Sequence, residues 1–301
     1  MKIYDLIIIG AGPAGISAGI YAKNFGLACL IIGENVGGLV NAAYKVENYP
    51  GIFNVTGKEL SDKFEEHRKH LDIPLKEERV EKIKRGEVFE IKTDTDEYQA
   101  KSIILTLGTD VKKLEIKNIK KFEGKGVSYR SGECVLIFEN KIVAIVGGAN
   151  AAVMGATMLA EKAKKVYLIY RKEKLRADAI WIERLEKLKN VEIIYNANVV
   201  EVKGNDWLKE IILDNGKKLK VDGLVIEAGS APNTDLIQDL GLKTNEYGYI
   251  EVDKSQATNI EGVFAAGDIT TGSNNFRQII TACSEGAIAA LSALNYISKK
   301  K

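Results

Sequence analysis

The sequence predicts an α/β fold with two doubly wound, three-layer domains, and one repeated pattern predicts both. An apolar run ending in glycine, a segment of helical apolar spacing and a second apolar run follow one another, which is the order of a βαβ unit. The pattern begins at Tyr4 with "YDLIIIG" and again at Lys141 with "KIVAIVG". Alternating β segments follow each unit and indicate a β-meander insert. Repetition of this length predicts two domains of related, Rossmann-like fold.

Length and composition fit this interpretation and exclude some functions. The 301-residue chain is long enough for two domains, and its formal net charge of +2 gives no electrostatic footprint for nucleic acid. The early apolar run at residues 6–9 is too short for a signal peptide or a membrane span. We therefore expect a cytoplasmic protein that binds neither nucleic acid nor membrane.

Cysteines and histidines give no sign of a disulfide framework or a metal site. The three cysteines, Cys29, Cys134 and Cys283, are odd in number and lack C-x-x-C spacing. His67 and His70 have helical spacing within a charged run, which is typical of surface residues. We expect no bound metal.

A glycine-rich turn joins the first predicted strand to its helix. In "GAGPAG", Gly10, Gly12 and Gly15 follow the strand and open the helix. Gly10 makes the tight turn, and Gly12 lets the backbone approach a pyrophosphate, whose charge the helix N-terminus stabilises. Glu34 lies slightly past the second strand, a little far along the chain for a ribose-binding acid. The alternative is a glycine turn that binds nothing.

Five segments resemble one enzyme family in order and spacing. They are "GAGPAG", "GGLV", "VENYPG", "GKGVSY" and "TNIEGVFAAGDI", and together they cover nearly the whole chain. The resemblance is to the low-molecular-weight thioredoxin reductases. It implies an FAD-binding domain made of residues 1–112 and 236–301, an NADPH-binding domain at residues 113–235, and a homodimer formed through the FAD domains.

The resemblance also implies which residues bind FAD. Asp268 is expected to hydrogen-bond the ribityl chain, Asn48 to contact the flavin side, and the segment "FRQII" to lie near the pyrophosphate and flavin ring. Leu39 replaces a glutamine of the family, so one polar contact is missing. The expected FAD-binding residues are Gly10, Gly12, Pro13, Ala14, Gly15, Gly33, Glu34, Gly38, Leu39, Asn48, Gly108, Gly267, Asp268, Arg277, Gln278 and Ile279.

The second glycine turn, "GGANAA", departs from the family pattern because Ala149 replaces a glycine and its methyl group obstructs a pyrophosphate. The second strand ends in "YRKEKLR", which resembles the family's cationic cluster for the 2′-phosphate of NADPH. An NAD site would prefer an acidic residue at the end of this strand, and none is present there. A solvated basic helix start beside a degenerate fold is the alternative. The expected NADPH-binding residues are Gly147, Asn150, Ala151, Arg171, Lys172 and Arg176.

The segment after "GVSY" is a redox-active C-x-x-C in the thioredoxin reductases, but here the two positions are Arg130 and Glu133. Disulfide exchange needs an attacking sulfur, so an internal relay is not expected. Two interpretations stay open for the pair. In one, the two residues form an exposed ion pair, which would stabilise the fold by about 0.2–0.5 kcal/mol. In the other, Arg130 lies near the flavin, where attraction to an opposite charge about 4 Å away would contribute up to about 4 kcal/mol. A substitute pair of Cys134 and Cys283 is a further alternative.

The resemblance predicts an FAD-dependent oxidoreductase that takes a hydride from NADPH. Its electrons then pass to a small-molecule or small-protein acceptor: oxygen, a quinone, a ferredoxin or an external disulfide. A ferredoxin–NADP reductase of the same fold is one alternative, although those enzymes usually carry a longer C-terminal segment than this chain. A non-catalytic FAD-binding homologue with a degenerate NADPH site is the other.

Overall fold

We describe a computed structural model of the chain over residues 2–232 and 235–300. The side chains of Glu133, Asp235, Ile237 and Asp239 lie outside the described part. The chain forms two compact units, residues 1–110 with 231–301 and residues 111–230. The boundaries expected from the sequence, after residues 112 and 235, lie a few residues further along. One division falls within the short strand Thr109–Val111 and the other within the short strand Ser230–Pro232.

The secondary structure elements follow one another as strands and helices in both units. The strands are β1 (Ile3–Ile9), β2 (Cys29–Ile32), β3 (Leu75–Lys76), β4 (Val80–Arg85), β5 (Phe89–Thr93), β6 (Glu97–Leu105), β7 (Thr109–Val111), β8 (Val127–Ser128), β9 (Ile142–Val146), β10 (Lys165–Ile169), β11 (Val191–Ile194), β12 (Val199–Gly204), β13 (Leu208–Leu213), β14 (Lys218–Lys220), β15 (Gly223–Ile226), β16 (Ser230–Pro232) and β17 (Val263–Ala265). The α-helices are α1 (Pro13–Asn24), α2 (Gly57–His70), α3 (Asn150–Ala160), α4 (Ala179–Glu186), α5 (Asp235–Leu240) and α6 (Ile279–Lys299). The 3₁₀ helices are η1 (Gly38–Ala42), η2 (Ile119–Phe122), η3 (Ser131–Glu133) and η4 (Ser273–Asn275).

The first unit is a sheet covered on both faces. Strands β3, β2, β1, β6 and β17 run parallel in that order, and β5 and β4 extend the sheet antiparallel from β6. Side chains of β1 alternate between two cores: Leu6 and Ile8 pack with residues of α1 and α6, whereas Ile7 packs with Ile83 and Ile91 of the meander. An apolar strand buried on both faces is typical of a parallel sheet between two layers.

Helix α6 is the helix, among the described residues, that is long and apolar enough to cross a membrane. Its residues Ala289, Ala290 and Ala293 are buried in the core that α1 shares. A Cβ atom at Gly286 would lie 2.1 Å from the carbonyl oxygen of Ala14, so the two helices meet backbone to backbone. Its apolar character is therefore explained by packing inside the unit.

The second unit repeats the plan. Strands β11, β10, β9, β15 and β8 form a parallel sheet in that order. Val143 and Ile145 of β9 pack with α3 and α4, whereas Ala144 packs with the antiparallel β12–β13–β14 meander. The predicted fold class, two doubly wound domains with meander inserts, is confirmed.

Candidate functional site

In the first glycine turn, close contacts require a glycine at two positions, whereas the space beside the remaining glycine is empty of described atoms. Gly10 has φ +118°, and a Cβ atom there would lie 2.2 Å from the carbonyl oxygen of Thr106. A Cβ atom at Gly15 would lie 2.0 Å from the Gly10 carbonyl oxygen. At Gly12, in contrast, no described atom lies within 4 Å of the Cβ position. The space in front of α1 is therefore open at Gly12.

This open space faces backbone donors that can hold an anion. Gly12 is the N-cap of α1 and has no side chain with which to cap it, and Pro13 begins the helix. The first-turn N–H groups, including those of Ala14 and Gly15, lack partners within a helix. Such a helix start binds phosphate well, so the residues present fit a dinucleotide pyrophosphate.

Residues after β2 close around the same turn. A Cβ atom at Gly33 would lie 2.8 Å from the backbone of the turn, and one at Gly38 would lie 3.4 Å from the Cα atom of Gly12. Glu34 follows Gly33 and is exposed. Leu39, in η1, is also exposed. Gly33 and Gly38, two of the glycines expected to contact FAD, therefore lie beside the turn at the start of α1.

The segment after β17 reaches this place from the other end of the chain. Gly267 has φ +82°, and a Cβ atom there would lie 3.0 Å from that of Ala14. The Gly267 N–H and the Thr270 hydroxyl donate to the Glu285 carboxylate at 2.7 and 3.0 Å. Glu285 is only 4% exposed, and its role was not predicted from the sequence. Its carboxylate fixes the loop that carries Asp268.

Arg277 is held in one orientation by several neighbours. Its Nε donates to the Asp268 carbonyl oxygen at 3.1 Å, and its Nη2 donates to Asn275 Oδ1 at 3.1 Å. The guanidinium lies over the Tyr249 ring, 3.7 Å from its centroid. A guanidinium fixed in this way is pre-organised to bind a phosphate.

The start of α6 accounts for three further predicted residues. Gln278 is the N-cap and forms a capping box with Thr281, and Ile279 begins the helix. The Asn48 amide donates to Gln278 Oε1 at 3.0 Å, so Asn48 supports the helix start. Gly108, with φ +63°, lies just after β6, and its Cβ position has no described atom within 4 Å.

Asp268→Asn is expected to stabilise the apoprotein. Burial raises the pKa of the Asp268 carboxyl, the charge of Arg277 opposes this rise and the charge of Glu285 adds to it. Because the folded pKa exceeds the unfolded one, the ionised group costs stability as the pH rises above about 4. Urea unfolding should therefore favour the variant at neutral pH, and the gain should shrink as the pH falls toward about 4. A less stable variant at neutral pH would contradict this.

The second glycine turn lies between β9 and α3. Gly147 has φ +149°, and a Cβ atom there would lie 2.4 Å from the Glu227 carbonyl oxygen. A Cβ atom at Gly148 would lie 2.4 Å from the Tyr170 ring. Ala149 is the exposed N-cap of α3 and offers no capping oxygen. The helix start thus keeps its backbone donors, with one methyl group beside them.

The Asn150 side chain has a structural partner. Its Nδ2 donates to Asp178 Oδ2 at 2.9 Å, and its Oδ1 accepts from the Asp178 N–H at 2.8 Å. Asp178 is the N-cap of α4, so this pair joins the starts of two helices. Asn150 and Ala151 lie in the first turn of α3 and can therefore offer a ligand their backbone N–H groups.

The basic cluster follows β10 beside the second turn. Arg171 and Lys172 are exposed. The Arg176 N–H donates to the Gly148 carbonyl oxygen at 2.7 Å, and its Nε donates to the Tyr170 hydroxyl at 3.0 Å. Arg176 therefore connects the cluster to the glycine turn, through a tyrosine whose role was not predicted from the sequence.

Arg171→Ala is expected to raise the Kd for NADPH about 10-fold and to leave NADH binding unchanged, because NADH lacks the 2′-phosphate. Arg176→Ala should also weaken NADPH more than NADH, because it loses the guanidinium and its bond to the Tyr170 hydroxyl but keeps the backbone N–H that binds the Gly148 carbonyl oxygen. Titration calorimetry measures this, with Lys187→Ala, an exposed residue at the end of α4, as the matched control. Equal losses of NADPH and NADH in Arg171→Ala would contradict the assignment.

The two positions at which the resemblance implies a C-x-x-C lie around η3. Arg130 is its N-cap and is exposed, whereas the Glu133 side chain lies outside the described residues. The Ser131 N–H and hydroxyl donate to Glu227 Oε1 at 3.0 and 2.9 Å. Cys134 is buried, with its Sγ 3.0 Å from the Arg130 carbonyl oxygen. The proposed Arg130–Glu133 ion pair stays a prediction.

The three cysteines are thiols. Burial raises the pKa of the Cys283 thiol to about 11. Its Sγ accepts from the Tyr49 hydroxyl at 3.9 Å. A thiol with so high a pKa carries little thiolate at neutral pH and is a poor attacking group. Cys283 is therefore unsuited to the substitute redox pair considered above.

Each unit presents a glycine turn and an open helix start at the carboxyl edge of a parallel sheet, which defines a protein with two dinucleotide sites. The family model of the pyridine nucleotide-disulphide oxidoreductases matches residues 4–286, and the chain belongs to that family. Within it, the chain is thioredoxin-reductase-like, as predicted. It is an enzyme of this class, and the cofactors of the class, FAD and NADPH, are those predicted.

Two curated relatives match over almost the whole chain. A thioredoxin reductase of Bacillus subtilis is 36% identical, over 99% of this chain and 96% of its own length. A 34.2 kDa protein in the rubredoxin operon of Clostridium pasteurianum is also 36% identical, over 99% of both chains. The likeness therefore includes both units.

Solved structures show the same fold. Thioredoxin reductase of Lactococcus lactis is 33% identical with a TM-score of 0.94, over 98% of this chain and 99% of that one. A ferredoxin-flavin thioredoxin reductase of Clostridium acetobutylicum is 33% identical with a TM-score of 0.56, over 100% and 99% of the two chains.

Proposed function

We propose that this enzyme oxidises NADPH through bound FAD and passes the electrons to an external acceptor without an internal dithiol relay. The observation that carries the proposal is the sequence at η3, where Arg130 and Glu133 replace both sulfurs of the family relay. Neither side chain can attack a disulfide. The adjacent Cys134 is buried against backbone carbonyls, which supports a structural role for its thiol.

The chain's own groups bind and orient the two cofactors. In the FAD site we assign the pyrophosphate to the start of α1 and to Arg277, and the ribityl chain to Asp268. In the NADPH site we assign the pyrophosphate to the start of α3 and the 2′-phosphate to the cluster that includes Arg171 and Lys172. Bound FAD supplies the hydride and electron chemistry. A homodimer in the cytoplasm remains our prediction.

The acceptor belongs to one of four classes: oxygen, a quinone, a ferredoxin or an external disulfide. A small protein acceptor is supported by the relatives, whose names include thioredoxin and ferredoxin. Without a relay, thioredoxin itself is disfavoured. The second candidate function is that of a ferredoxin–NADP reductase. It is favoured because a ferredoxin-flavin enzyme is among the solved structures that share this fold over the whole chain.

The proposal is tested by NADPH consumption with each acceptor in turn, using the FAD-loaded protein. We expect turnover with at least one of the four acceptor classes and none above background with oxidised thioredoxin. The Bacillus subtilis relative serves as the positive control for thioredoxin. NADPH-dependent reduction of thioredoxin by this chain would overturn the proposal, and absence of NADPH consumption with every acceptor would favour the non-catalytic alternative.

A further inference from the structure

A carboxylate lies at the carboxyl edge of the second sheet and has no part in the family pattern used above. Strands β9, β15 and β8 are parallel neighbours. Gly147 follows β9, Glu227 follows β15, and Ser131 lies shortly after β8. A Cβ atom at Gly147 would lie 2.4 Å from the Glu227 carbonyl oxygen, so Glu227 adjoins the NADPH turn.

The Glu227 carboxylate is held by Ser131 through one of its two oxygens, and the charge of Arg130 also acts on it. Both hydrogen bonds from Ser131 reach Oε1, at 3.0 and 2.9 Å. Within residues 2–232 and 235–300, no hydrogen bond from a described group reaches Oε2. Glu227 is half-buried, and Oε2 is not among the buried side-chain atoms that lack a partner, so a ligand can reach it from solvent. A ligand that donates a hydrogen bond would complete the group.

The direction of the bound dinucleotide follows from the site described above. A dinucleotide lies across the carboxyl ends of the strands, with its pyrophosphate at the helix start that follows the first strand. Arg171 and Lys172 follow β10, on one side of β9, which places the adenosine half there. The nicotinamide half then extends to the other side of β9, where β15 ends and is followed by Glu227.

We propose that Glu227 binds the nicotinamide end of NADPH by accepting a hydrogen bond from the amino group of its carboxamide. Ser131 is the positioning residue that holds the carboxylate for this contact. The inference rests on the proposed function, because it requires that NADPH occupies the second unit. It identifies a residue that selects for the carboxamide, separate from the phosphate-binding residues.

The test compares three probes by calorimetry on the FAD-loaded protein. The probes are NADP⁺, its 3-acetylpyridine analogue, in which a methyl group replaces the amino group, and 2′,5′-ADP, which lacks the nicotinamide half. The wild type should bind NADP⁺ about 10-fold or more tightly than the analogue. Glu227→Ala should lose this preference and bind 2′,5′-ADP as the wild type does. Asp206→Ala, at an exposed acid in the same unit, should behave as wild type throughout.

The conservative variant distinguishes loss of the carboxamide contact from a folding defect. Glu227→Gln keeps an acceptor oxygen and should keep part of the preference, which a folding defect would not produce. An unchanged preference in Glu227→Ala would overturn the inference, and so would a loss of 2′,5′-ADP binding equal to that of NADP⁺. If the wild type binds neither NADP⁺ nor 2′,5′-ADP, the proposed function fails and the inference fails with it.

Discussion

Gly12→Val is expected to abolish FAD binding and to leave the first unit folded. The Cβ position at Gly12 is free of described atoms within 4 Å. Its backbone, at φ −80° and ψ −172°, is extended, which suits valine. The added side chain would fill the space where we assign the pyrophosphate and block the N–H groups of α1. Loss of two charge-assisted hydrogen bonds predicts a Kd for FAD raised about 100-fold or more.

The absorbance ratio of flavin to protein and a thermal unfolding curve measure both parts of this prediction. Gly86→Ala is the control, since its Cβ position is 3.4 Å from the nearest described atom in an exposed hairpin. Gly15→Ala should instead disrupt the fold, because its Cβ atom would lie 2.0 Å from the Gly10 carbonyl oxygen. A folded Gly12→Val protein that retains stoichiometric FAD would show that the pyrophosphate lies elsewhere.

The double variant Arg130→Cys with Glu133→Cys is expected to gain NADPH-dependent thioredoxin reduction. It restores the two sulfurs that disulfide exchange requires, at the ends of the η3 segment. Removal of an enzyme nucleophile commonly lowers the turnover rate by a factor of about 1,000 or more. We therefore expect the double variant to reduce thioredoxin faster than the wild type by a factor of that order. An insulin-coupled thioredoxin assay measures it.

Each single cysteine variant is a matched control and should stay inactive, because one sulfur cannot form the internal disulfide. Quantification of free thiols before and after oxidation shows whether the pair closes. If the double variant forms its disulfide and still fails to reduce thioredoxin, loss of the relay does not by itself explain the change of acceptor. Divergence in partner docking or domain motion would then have to be included.

The sequence predicted the elements whose signals are local. The βαβ order and the glycine turns gave β1–α1 and β9–α3, and the structure places the first glycines around the start of α1. Strand, turn and helix are adjacent in the chain there, so the pattern is visible in a single stretch. The assignment of those residues to FAD stays a prediction.

The groups that hold the sites were not predictable in the same way. Glu285 meets the Gly267 loop because helix α6 packs beside the end of β17, and Glu227 meets Ser131 because the neighbouring strands β15 and β8 end at one edge of a sheet. The pairs are distant in sequence, so neither leaves a spacing pattern. Asn150 was expected to bind NADPH, and no pattern in the sequence indicated that its side chain bonds Asp178 across two helix starts; its assignment to NADPH stays a prediction that now rests on its backbone N–H.

The proposed function requires that NADPH reduces the flavin of this enzyme and that the electrons do not leave through an internal pair of sulfurs. The most direct measurement is the visible spectrum of the FAD-loaded protein, without oxygen, after NADPH and then oxidised thioredoxin are added. We predict that NADPH bleaches the flavin band and that thioredoxin leaves it bleached until another acceptor is supplied. Rapid return of the band on adding thioredoxin, or no bleaching by NADPH, would contradict the claim.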